Sequence, residues 1–260
     1  MRPGVLEVGV VSAMVVVLLL SEMAIAPAGT WGRSASDGLA VDRSTSTNWA
    51  GYAVTGPTDS VTHVAGSWVE PKVKGPCSGT DTYASFWVGI DGYSSTTVEQ
   101  IGTDSDCSAG SPQYYAWYEF YPANSVNIAM TIHPGNKISA SVAFSGGTFT
   151  LKISDDTLGT TFTKTGKVAS AQRDSAEWIV ETPEICSPSC RLAQLTDFGT
   201  IHWTSDVATV SGVAGAIGNF SAVHKIILVK SSNHSVHLAS TSALSSNLSD
   251  FTVKWKNAGP

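Results

Sequence analysis

Two polar residues of this 260-residue chain are best suited to chemistry, a glutamine and a glutamate. Gln100 lies in Thr97-Val-Glu-Gln100-Ile-Gly102, and Glu181 closes Ala176-Glu-Trp-Ile-Val-Glu181. A carboxylate can take a proton from water and later return it to a leaving group. A primary amide offers two N–H donors and one acceptor, so it can steady an oxyanion or hold the attacking water. Together they supply a hydrolysis that uses neither a metal nor a covalent nucleophile. With an unperturbed glutamate pKa of about 4.3, such a base is matched to acidic medium.

Both residues need strands to aim them. Alternating or β-branched runs recur from Asn48 to Trp255, punctuated by turn signals such as Asp91-Gly92, Pro134-Gly135 and Gly146-Gly147, and no segment sustains a 3.6-residue period. Many short strands of this kind imply an all-β fold, a large antiparallel β-sandwich of two bent sheets in the jelly-roll or concanavalin-like manner, with a concave groove. Strand alternation places Tyr115, Trp117, Glu119 and Tyr121 on one face of Tyr114-Tyr-Ala-Trp-Tyr-Glu-Phe-Tyr-Pro122. Glu177, Ile179 and Glu181 share a face in the same way, as do Val98, Gln100 and Gly102. A bent sheet would gather these faces into the groove.

Composition narrows the setting. Lys and Arg number 15 against 21 Asp and Glu, a formal net charge of −6, which argues against a nucleic-acid partner because phosphate binding needs clustered cations. Residues 1–28 carry Arg2, the apolar run Val8 to Leu20 and Ala26-Pro-Ala28, the layout of a cleaved secretory signal; no membrane attachment is expected after cleavage. Residues 29–46, rich in Gly, Ser, Asp and Arg, read as a flexible leader or short pro-segment, and 47–260 as a single domain. The chain is expected to be secreted and monomeric. Four cysteines in an exported chain favour two disulfides, and the local sequences suggest Cys77 with Cys107 and Cys186 with Cys190.

The segments Trp87-Val-Gly-Ile-Asp-Gly92, Val98-Glu-Gln100, Ala116-Trp-Tyr-Glu119 and Ala176-Glu-Trp-Ile-Val-Glu181 together resemble the glutamic peptidases, the eqolisin family. The resemblance runs from about Asn48 to Glu181. It implies Gln100 and Glu181 as the catalytic pair, acting on polypeptide substrates through a Glu-activated water without a covalent intermediate or any cofactor. By the same motifs it implies Trp87, Asp91, Trp117, Glu119 and Tyr121 as groove residues, and Thr47-Asn-Trp49-Ala-Gly51 resembles the family's amino-terminal motif. One departure stands out: the family commonly carries Asp where this chain has Tyr115, so the groove is expected to lose an acidic neighbour.

Plainer readings compete. Strand glutamines and glutamates are usually solvated, and Trp87, Trp117 and Tyr121 suit a core as well as a groove wall. His234-Ser-Val-His237 lacks the same-face spacing of a strand metal site, so no metal is expected. Gly-x-Ser-x-Gly, His-Glu-x-x-His and paired Asp-Thr-Gly motifs are absent. The rival class is a carbohydrate-binding sandwich or a sandwich glycosidase using Glu177 and Glu181 as acid and nucleophile. Sandwich glycosidases usually place Asp between such glutamates, and here Ile179 fills that place. A catalytically silent protein of the same fold is the third possibility.

Overall fold

The computed structural model describes residues 41–186 and 189–259. The expected signal (1–28) and the first part of the expected leader (29–40) lie outside those residues. Twenty strands follow in chain order: β1 (Val41–Ser46), β2 (Trp49–Thr55), β3 (Val61–Val69), β4 (Thr82–Tyr83), β5 (Ser85–Ile90), β6 (Val98–Ser108), β7 (Ser111–Tyr121), β8 (Val126–Thr131), β9 (Lys137–Ser145), β10 (Thr148–Asp155), β11 (Thr160–Gly166), β12 (Ser175–Glu181), β13 (Glu184–Cys186), β14 (Cys190–Leu192), β15 (Gln194–Leu195), β16 (Thr200–Val210), β17 (Val213–Ala216), β18 (Val223–Lys230), β19 (Asn233–Thr241) and β20 (Phe251–Trp255). A 3₁₀ turn at Ile217–Asn219 is the one helical element among the described residues.

Two layers carry the fold. Pairing in the first runs β8-β7-β6-β5-β12-β2-β18-β1, antiparallel throughout except for the parallel β1–β18 edge. The second runs β19-β20-β16-β3-β9-β10-β11, all antiparallel. The β18–β19 pairing ties one layer to the other. Between them lies the main core, which takes Tyr52, Phe86 and Trp178 from the first layer and Trp68, Leu151 and Trp203 from the second. Each side chain of this size that is fully withdrawn from water stabilises the fold by about 1.5–3 kcal/mol, which is why the inward-facing strand positions are apolar. Trp178→Ala would cost about 3–5 kcal/mol, because neighbours held in sheets collapse poorly into the void.

Strand alternation leaves the other face of the first layer free to bear the site. A second apolar cluster lies there: Ala53, Trp87, Val98, Trp117, Ile179 and Ile226, with Trp49, Tyr93 and Tyr115 packed against it. The sandwich read from the sequence is therefore present. Within the expected leader, Val41–Ser46 pair in register with Val223–Leu228 as β1. The strand carrying Gln100 runs on to Ser108. Its polar half, Thr103-Asp-Ser-Asp106, is held by an eleven-residue ladder with β7 closed at Ala109–Gly110. Cys77–Cys107 and Cys186–Cys190 are both disulfides.

Candidate active site

Glu181 ends β12 and Gln100 sits in β6, on the same face of the first layer, with β5 between their strands. At the usual strand spacing their two strands run about 10 Å apart. Trp87 of β5 fills that gap. Its indole Nε1 donates to Glu181 Oε2 at 2.8 Å. The far edge of the same ring overlies Gly89: a Cβ built there would come within 2.8 Å of Trp87 Cζ3 and 3.3 Å of Gln100 Cβ. On β6, a Cβ at Gly102 would come within 2.2 Å of the Phe86 carbonyl and 2.7 Å of Trp87 Cβ. Glycine at both positions is what leaves room for the Trp87 side chain on β5.

Each polar group is held from a second side. The Gln100 amide nitrogen donates to Glu119 Oε2 at 2.5 Å, which turns its carbonyl oxygen away from β7. That oxygen is buried and has no hydrogen-bond partner among the described residues. Asn48 donates from Nδ2 to Glu181 Oε1 at 3.4 Å, and Ser46 Oγ donates to Asn48 Oδ1 at 2.8 Å while accepting from the Trp49 N–H. Trp49 packs edge-on against Trp87, ring centroids 5.1 Å apart. Asn48 and Ser46 were not among the site residues read from the sequence; the Asn48-Trp49 pair of the amino-terminal motif was the available signal.

Burial pushes the Glu181 carboxyl up to about 7, and the charge of Glu119 adds to it, while the Trp87 indole and the Asn48 amide pull the other way. The ordinary value of about 4.3 assumed from the sequence therefore does not hold here. Glu119 is itself raised by burial, against the opposing Gln100 hydrogen bond.

The remaining expected groove residues divide. Trp87 and Trp117 are buried, at 0% and 6% exposure, so they form a packed floor and not open walls. Tyr121 is 48% exposed at the end of β7. Asp91 is not a groove wall: it is fully buried, and its carboxyl accepts from the backbone N–H groups of Gln172, Arg173 and Asp174 and from Thr97 Oγ1. It pins the loop before β12 to the end of β5. Tyr115 does share the face of Trp117 and Glu119, but the expected loss of acidity around it is offset. Its phenolic oxygen lies 2.8 Å from Asp104 Oδ2 and 2.7 Å from Asp106 Oδ2. Neither aspartate was among the site residues read from the sequence, since a Thr-Asp-Ser-Asp run has poor strand propensity.

Glu177 shares the face of Glu181, but it is 0% exposed, and neither of its oxygens has a hydrogen-bond partner among the described residues. It is closed off from the groove and stays protonated well above the usual carboxylate range because of burial.

A two-layer sandwich that sets Gln100 and Glu181 on one face, with Trp87 on the strand between them bonded to the carboxyl, defines the class of the molecule. Residues 47–255 match the Peptidase A4 family, and the chain belongs to that family. It is 33% identical over 190 residues to aspergillopepsin-2 of Aspergillus niger and 29% identical over 180 residues to scytalidopepsin B of Scytalidium lignicola. These matches cover 64% and 63% of this chain, and they span 66% of each relative's own length. Among solved structures, scytalido-glutamic peptidase bound to a transition-state analogue inhibitor superposes with a TM-score of 0.69 at 22% identity, covering 81% of this chain and 98% of that one. Aspergilloglutamic peptidase from Aspergillus niger gives 0.57 at 29% identity, covering 67% and 99%. The motif resemblance to the eqolisins is thus a family membership, and it reaches beyond Glu181, where the sequence had offered only general β character.

Proposed function

We propose that this chain is a secreted endopeptidase in which Glu181 activates water and Gln100 stabilises the oxyanion. The observation that carries the reading is a half-buried carboxyl bonded by Trp87 and, on the same face, an amide that spends one N–H on Glu119, which leaves its second N–H for an oxyanion and its acceptor oxygen for the attacking water. In its ionised form Glu181 takes a proton from the attacking water; the tetrahedral oxyanion accepts from the Gln100 amide; the protonated Glu181 then gives the proton to the leaving amine. No covalent intermediate with the chain is required. Glu119 takes one N–H of the amide, so the other N–H is left to donate to the oxyanion and the carbonyl oxygen to accept from the water.

The raised Glu181 carboxyl shifts the expected working range upward, because the ionised base falls tenfold per pH unit below its pKa. Weakly acidic medium suits this site better than strong acid. Two disulfides support an oxidising, extracellular setting. The burial of Glu177 weighs against the glycosidase alternative, which needs two carboxyls facing the substrate.

Incubation with an unstructured protein across pH 3–8, beside binding to a glycan panel, tests the proposal. Discrete internal cleavage without glycan binding is expected. Glycan binding with no cleavage at any pH would overturn it.

A further inference from the structure

The contacts of Tyr115 do not balance unless a proton is added. A phenol carries one hydrogen, yet its oxygen lies within hydrogen-bond distance of two carboxyl oxygens, Asp104 Oδ2 and Asp106 Oδ2. It can donate to only one. The second contact becomes a hydrogen bond only if that carboxyl is protonated and donates to the phenolic oxygen.

The surroundings say which carboxyl holds the proton. Asp104 accepts from the Trp117 indole at Oδ1, so as an anion it receives two donors, the indole and the phenol. Asp106 accepts one backbone N–H, from Ala84, at Oδ1. The charges acting on Asp106 are both acidic: Asp104 two residues along β6, and Glu70, which follows β3 and is bonded to Thr103 and Ser105. From β7 it faces Tyr115, with Gln113 as its register partner. Burial and the charge of Asp104 push Asp106 up to about 8, while Asp104, held by Tyr115, Ser85 and Trp117, is raised by burial only to about 6. The proton belongs on Asp106, and the chain of donors runs from Asp106 to Tyr115 to Asp104, with Trp117 donating to the same Asp104.

We propose that this retained proton is a positioning device. It fixes the Tyr115 hydroxyl on Asp104, and Asp104 in turn fixes the Trp117 indole in the groove floor beside Trp87. Loss of the proton leaves one phenolic hydrogen for two anions, so the hydroxyl can turn to Asp106 and the Asp104 carboxylate that holds the Trp117 indole loses its second donor and its fixed position. Asp106 is then a positioning residue that sets the alkaline edge of activity. This use of the network rests on the peptidase reading, whereas the network itself does not.

Asp106→Asn supplies the test, because the amide N–H can donate to the phenolic oxygen at every pH. Two readouts are taken on the full-length protein, with circular dichroism confirming the fold at each pH. The first is kcat and KM against pH on a fluorogenic peptide. Wild-type kcat/KM is expected to fall tenfold per unit above about pH 8, mainly through KM, and Asp106→Asn to move that limb up by a unit or more. The second is the indole N–H resonance of Trp117, assigned with Trp117→Phe. It should titrate in the wild type and stay still in Asp106→Asn. A wild-type resonance that does not titrate, or one that titrates identically in the variant, overturns the proposal whether or not the protein cleaves peptides. Cleavage with an unmoved alkaline limb in the variant overturns it while leaving the Gln100–Glu181 pair intact.

Discussion

Replacing Trp87 by phenylalanine removes one N–H from the Glu181 carboxyl and leaves an aromatic ring in the slot above Gly89. The bond lost, 2.8 Å long, is made to an acceptor that carries charge when Glu181 is ionised. Hydrogen bonds of that class contribute about 1.5–3 kcal/mol, and one pKa unit is 1.36 kcal/mol, so the Glu181 pKa is expected to rise by about one to two units. The direction follows from which form is stabilised. The indole favours the carboxylate, so its removal favours the acid, and the acidic limb of kcat/KM moves to higher pH. At a pH one unit below the wild-type limb the loss should be about 10- to 100-fold, shrinking to about 2- to 10-fold near pH 8. Initial rates on a fluorogenic peptide at half-unit intervals from pH 3 to 9 give both limbs. An acidic limb that stays in place or moves down would show that the Trp87 hydrogen bond does not set the ionisation of the catalytic group.

Four carboxyls away from the pair, Glu70, Glu99, Asp104 and Asp106, are pushed up to about 8, 9, 6 and 8, chiefly by burial. The native state therefore binds protons that the unfolded chain has released, so this stability is fully present below about pH 4 and is lost as pH rises through 6 to 9. Calorimetric Tm should fall over that interval, and a Tm that is flat or rising would contradict the assignment. Tyr115→Phe leaves Asp104 and Asp106 facing each other without the bridging hydroxyl and should cost about 1–3 kcal/mol in urea unfolding at pH 6; a loss under 0.5 kcal/mol would show that the bridge is not formed. Mass spectrometry of the unreduced protein should find no alkylatable thiol, since Cys77–Cys107 and Cys186–Cys190 are paired, and four labelled cysteines would refute that pairing.

Alternation made the site face legible: Tyr115, Trp117 and Glu119 on β7, and Glu177, Ile179 and Glu181 on β12, fall where a period of two puts them. What alternation cannot give is depth. Glu177 and Glu181 share a face, yet Glu177 lies between Gly89 and Ala53 on the neighbouring strands and is closed over, while Glu181 at the strand end stays half-buried. The ordinary glutamate pKa failed for the same reason, because desolvation depends on tertiary packing. Asp104 and Asp106 escaped notice because a Thr-Asp-Ser-Asp run has poor strand propensity, and only the ladder to β7 holds it extended. Asp91 was misplaced because its motif fixes its position in the chain but not the direction of its carboxyl, which turns to the backbone at 172–174.

The central claim is that Glu181 and Gln100 perform one hydrolysis together. It is tested most directly by kcat/KM on a single peptide at the wild-type optimum for Glu181→Gln, Gln100→Ala and the double variant, each checked for fold by near-ultraviolet circular dichroism. Glu181→Gln should lose at least about 10³-fold and Gln100→Ala about 10²–10³-fold, as expected for a base and an oxyanion donor. The double variant should be little worse than Glu181→Gln, because groups that act in one step do not add. Folded Glu181→Gln protein cleaving at the wild-type rate, in a preparation free of host protease, would contradict the account.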